Sequence, residues 1–65
     1  MIRVQVIKLR NGVLVEDELN LIKVNDFTAK ECQAVSYTLG DMTFENKNVI
    51  QFQYNNWTIL FVKVI

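Results

Sequence analysis

Few side chains in this sequence could do chemistry unaided. Cys32 is the one thiol, and there is no His. A cysteine in the first turn of a helix is a candidate nucleophile or redox group, because the helix dipole favours the thiolate. Such a thiol still needs a base, and imidazole is not available here. Packing as a small apolar side chain accounts for Cys32 without any reaction. Glu16, Asp17 and Glu18 are consecutive acids that could attract a hard cation. Consecutive strand residues point alternately to opposite faces, and calcium loops need more oxygen ligands around a glycine. The three acids read as a solvated hairpin edge, or as an acidic contact for a basic partner.

Phe52, Tyr54, Trp57 and Phe61 could form a stacking platform for single-stranded nucleic acid. That mode needs a basic groove beside the rings. Lys47 and Lys63 are near in sequence, but Arg3, Lys8, Arg10, Lys23 and Lys30 are scattered along the chain. Core packing explains all four aromatics. The two glycines, Gly12 and Gly40, do not make a phosphate loop, and Ser36 is the sole serine. The reading is a non-enzyme with no catalytic residues, no cofactor and no metal site.

Composition narrows the classes further. The chain has 65 residues with seven basic and seven acidic side chains, so its net charge is zero. A strongly basic nucleic-acid module is disfavoured. A hydrophobic content of 51% excludes a charged disordered tail. One Cys cannot form a disulfide within the chain and suits a reducing compartment. The longest apolar run, Ile59-Leu60-Phe61-Val62, is far short of a membrane span, and no leader pattern stands at the N-terminus. These point to a cytoplasmic protein of one small domain over residues 1–65, with no membrane association.

The elements follow from punctuation. Ile2 to Arg10 is rich in β-branched residues and ends at Asn11-Gly12, the signal for a type I′ hairpin. Folding there pairs Arg10 with Val13, Leu9 with Leu14 and Val4 with Leu19. One face then carries Ile2, Val4, Val6, Leu19 and Leu21, and the other Arg3, Gln5, Glu18 and Asn20. Ile7, Leu9 and Leu14 spoil the polar face, and a bulge at Glu16-Asp17-Glu18 would re-phase the strand. Thr28-Ala29-Lys30-Glu31 is a capping box, with Phe27 and Cys32 spaced as a hydrophobic staple. The helix is expected over Ala29–Leu39, stopped by Gly40, with Cys32, Val35 and Leu39 on its buried stripe. A short strand at Thr43–Glu45 precedes a turn at Asn46–Asn48. Val49–Tyr54 alternates, turns at Asn55-Asn56 as type I′, and pairs with Trp57–Ile65. That sets Tyr54 by Trp57, Phe52 by Ile59 and Ile50 by Phe61 on one apolar face, the expected seat of the helix.

The predicted architecture is α+β: an antiparallel sheet of four to five strands, ββα and then a β-hairpin, with one helix on one face. The last strand is apolar on both sides, which places it centrally or under a cover. Val49, Leu60, Val62 and Val64 point away from the helix and are the candidate interface, with Gln51, Gln53 and Thr58 as its rim. The functional reading is a small protein–protein interaction module, an inhibitor or adaptor acting on another protein and prone to form a homo-oligomer. Small tail-free domains of this kind are frequent among phage and mobile-element products. A single-stranded nucleic-acid binder and a self-associating structural subunit are the alternatives, and a sheet curled nearly into a barrel would leave no open face at all.

Overall fold

The computed structural model describes residues 1–15 and 20–64. Its strands are β1 (Ile2–Arg10), β2 (Val13–Leu14), β3 (Asn20–Val24), β4 (Asp41–Glu45), β5 (Val49–Tyr54) and β6 (Trp57–Lys63), with one helix, α1 (Ala29–Ser36), between β3 and β4. All pairings are antiparallel, in the order β2-β1-β6-β5-β4, and β3 continues beside β1 past β2. The sheet is therefore five strands wide and open. Among the described residues β3 and β4 do not pair, so the barrel alternative fails. The fold is α+β, as the pattern predicts.

Both hairpins form where expected. Asn11 and Gly12 take φ 52 and 79, the two left-handed positions of a type I′ turn. At the other turn only Asn55 has a positive φ, 55, so the second left-handed position of the expected type I′ turn is not taken by Asn56. Its register is nonetheless the expected one: Tyr54 faces Trp57, Phe52 faces Ile59 and Ile50 faces Phe61. The Asn46 carboxamide oxygen accepts from the amides of Asn48 and Val49, closing the β4–β5 turn.

The first hairpin departs from a single register. Leu9 pairs with Leu14, but Val4 pairs with Ile22 instead of Leu19. The register with β1 differs by three residues between β2 and β3, and the bulge expected at Glu16-Asp17-Glu18 lies outside the described residues. An odd slip inverts the faces. Leu21 thus pairs with Gln5 on the side away from the helix and is 52% exposed, while Asn20 joins Val6 on the other side.

The helix start follows the capping reading with one change. Thr28 Oγ1 accepts from the Glu31 amide. Glu31 reaches past Thr28, and its carboxylate accepts from the amides of Asn25 and Asp26. It thereby ties down the short loop from β3, and α1 buries Cys32 in a core that includes Ile50, Phe52, Ile59 and Phe61 of the β5–β6 hairpin, the face expected to seat it. The helix ends three residues earlier than expected. Tyr37 takes the left-handed conformation, φ 56, and Val35 and Leu39 are exposed rather than buried. Gly40 has a different task from the expected one. At φ 102 it runs so close to β5 that a Cβ would strike the Gln53 carbonyl.

The core lies between α1 and one face of the sheet. Val4, Val6, Val24, Cys32, Ile50, Phe52, Ile59 and Phe61 are buried, with Phe27 and Ile2 packed at the margin. Phe52 and Phe61 meet edge to face at 5.7 Å, the arrangement aromatic quadrupoles prefer. Two substitutions test the local account in urea denaturation. Thr28→Ala should lower stability by about 1 kcal/mol through the lost cap. Gly40→Ala should cost more than ~1 kcal/mol, because it adds backbone strain to a steric clash.

Candidate functional site

Among the described residues nothing forms a layer over the face of the sheet away from α1. Register alone assigns its residues, because cross-strand partners share a face. One row holds Leu21, Gln5, Val62 and Val49. The next holds Ile7, Leu60, Gln51 and Phe44, and the next Leu14, Leu9, Thr58, Gln53 and Asp41. The four candidate residues therefore come together: Val49 and Val62 are direct partners, Leu60 is two residues along, and Val64 follows the end of β6. Ile7, Leu9 and Leu14 do share this face, so what looked like faulty patterning in β1 is a second apolar surface.

The face is wider than the candidate set. Leu21 joins it through the register slip. Phe44 joins it through a bulge in β4, where the pairing shifts between Met42 and Phe44. Leu21 and Phe44 are about half exposed, as are Leu14 and Val64. Thr43 is the residue a bulge would skip, but no residue type marks bulges clearly enough to have shown it. The expected polar rim is not a rim. Gln51 lies beside Leu60, and Gln53 accepts a hydrogen bond from Thr58 Oγ1 within the sheet. Charged residues sit instead at two corners: Arg3 with Lys23 at one, and Asp41 at the corner diagonally opposite.

The other candidates are dispersed by the fold. Glu16, Asp17 and Glu18 lie outside the described residues. Among the described residues no three acidic, Cys or His side chains cluster as metal ligands. The four aromatics split into two pairs: Phe52 and Phe61 are core, while Tyr54 and Trp57 remain partly exposed at the turn end of the sheet. Arg10 lies over the Trp57 ring, 5.8 Å from its centre, and Lys8 faces Ile59 next to it. Two of the scattered cations are thus brought to the exposed aromatics, through a β1–β6 pairing that no local motif announces.

Cys32 is buried, and its thiol is pushed up to about 11 by burial and then by the neighbouring Glu31 charge. A thiol held protonated at neutral pH is a poor nucleophile. Among the described residues no helix is long and apolar enough to cross a membrane. No protein-family model matches the chain, and no curated protein or solved structure matches it either.

The thiol yields a pH prediction. Its folded pKa lies above its unfolded value of 9.0. The stabilisation is therefore complete below pH 9 and is lost as the pH rises toward about 11, since the unfolded chain ionises first. The difference between the denaturation midpoints of wild type and Cys32→Ala should shrink across that window. A constant difference would contradict the burial account.

Proposed function

We propose that the protein is a non-enzymatic protein-binding module whose working surface is the uncovered face of its sheet, and that the occupant of this face is a second copy of the chain. The observation carrying the proposal is the apolar surface made by Ile7, Leu9, Leu60, Val62 and Val49, with Phe44 beyond Gln51, on a sheet whose opposite face already holds the core. An apolar sheet face without a covering layer is the condition under which sheets pack against one another.

Size supports a second copy. Five strands at ~4.8 Å spacing and about 20 Å of strand length give roughly 500 Å² of face per copy. Two such faces bury about 1,000 Å² together, the level at which specific interfaces begin. The charges also complement themselves. In a two-fold pair whose strands cross steeply, the Arg3–Lys23 corner of one copy lies over Asp41 of the other. Orthogonal packing of this sort is an established mode for twisted sheets, and self-complementarity is what a two-fold interface demands.

Sedimentation over a wide concentration range tests this reading. Wild type should show a monomer–dimer equilibrium. Val62→Glu should weaken it about a hundredfold or more, since it leaves a carboxylate unpaired in an apolar contact at a cost of ~3 kcal/mol, while the folded far-UV spectrum persists. A wild-type monomer at every concentration would overturn the self-association.

A further inference from the structure

A second surface lies on the helix side of the sheet, beyond the end of α1. The last turn of the helix, the segment up to Gly40 and the turn ends of β1, β5 and β6 enclose a cleft of about 210 Å³. Its walls include Lys8, Tyr37, Leu39, Tyr54 and Trp57, and among the described residues no carboxylate lines it. Arg10 flanks it, stacked on Trp57.

Three of these residues do little for the fold. Tyr37 is the clearest. It occupies the left-handed position that ends α1, where glycine is the favoured residue and a bulky one is strained. Its side chain is 90% exposed, so packing offsets none of that strain. Leu39 is 62% exposed and Tyr54 43% exposed. Strain kept without a packing return is a mark of function. The combination of Trp, Tyr and Arg is also the one that dominates binding energy at protein interfaces.

The chemistry of the cleft selects its ligand. Its volume is below that of sites for drug-sized molecules or cofactors, about 300–1,000 Å³, and suits one inserted side chain. The cations Lys8 and Arg10 favour an anion beside that side chain. The negative end of the helix is partly engaged: Gln33 O accepts from the amides of Tyr37 and Thr38, and Cys32 O from the Ser36 hydroxyl, while beyond the helix Gly40 O accepts from the Gln33 carboxamide. Two cations match one or two carboxylates. They do not make the extended basic track along which a nucleic-acid backbone binds.

We propose that this cleft docks an acidic linear peptide segment of another protein, which inserts one apolar or aromatic side chain between Tyr54 and Trp57 and sets a carboxylate beside Lys8 and Arg10. The site is separate from the sheet face and does not depend on association there.

The test selects phage-displayed random short peptides on the purified protein, then titrates synthetic versions while following fluorescence of Trp57, the only tryptophan. The selected peptides should pair an apolar or aromatic residue with Asp or Glu and should change the Trp57 emission. Tyr37→Gly should weaken them by about tenfold or more without lowering the denaturation midpoint, because glycine relieves the left-handed strain. Lys8→Gln should weaken them similarly and flatten the salt dependence of binding. The proposal is overturned if selection gives no binders, if the binders lack acidic residues, or if both variants retain full affinity. Oligothymidine binding tighter than the selected peptides, with the same Trp57 response, would overturn it in favour of a nucleic-acid site.

Discussion

The pairing of β1 with β6 is the constraint on which the molecule depends. It joins the first strand to the last, in register from Val4–Lys63 to Arg10–Trp57. Without it the sheet would divide into β1 with β2 and β3 on one side and the β4-β5-β6 meander on the other, and the single core would be split between them. With it β6 becomes the central strand, and both hairpins contribute to one core. The amide of Asn11 donates to the carbonyl of Asn56, so the two tight turns are fastened together at one end of the sheet. Closing a loop of nearly the whole chain costs entropy that grows only slowly with length. It does delay folding, because this contact is the most distant in sequence and the local ones do not substitute for it.

The same pairing creates both candidate surfaces. A central strand in an open sheet has two faces, and one eight-residue helix covers part of one. Ile59 and Phe61 are spent on the core, and Leu60 and Val62 are left on the other side. At the turn end, beyond the reach of α1, the pairing lays Arg10 over Trp57. The helix falls short because Glu31 anchors its start to the loop from β3 and Tyr37 turns the chain soon after.

What could be read in the sequence was local. Asn11-Gly12, Asn55-Asn56 and Thr28–Glu31 each signal their structure within a few residues, and the β5–β6 register follows from its turn. The failures share a cause: the deciding partner was far away in the chain. Gly40 looked like a helix stop because glycine permits a left-handed backbone, yet its role is set by the Gln53 carbonyl of β5. Tyr37 took the stop, and its residue type gives no hint of that conformation. Leu21 went to the wrong face because a slip of register changes face without changing composition. Lys8 and Arg10 looked scattered because their aromatic neighbours sit on a strand almost fifty residues later. Of the surface residues, Val49, Leu60, Val62 and Val64 were legible from alternation alone, whereas Phe44 depended on a bulge.

That bulge has a bearing on what kind of assembly the chain can make. β4 is an outer strand with every residue exposed, and its outward amides and carbonyls are a template on which another chain could add. Heterologous strand addition, the β4 edge of one copy on the opposite edge of the next, is open-ended, since each added sheet presents a fresh edge and growth runs on to a filament. The irregularity between Met42 and Phe44 breaks the even spacing that such growth needs. Stacking by the broad face is different in kind. In the proposed face-to-face pair each broad face is used up by the other, so growth through that face stops at two copies.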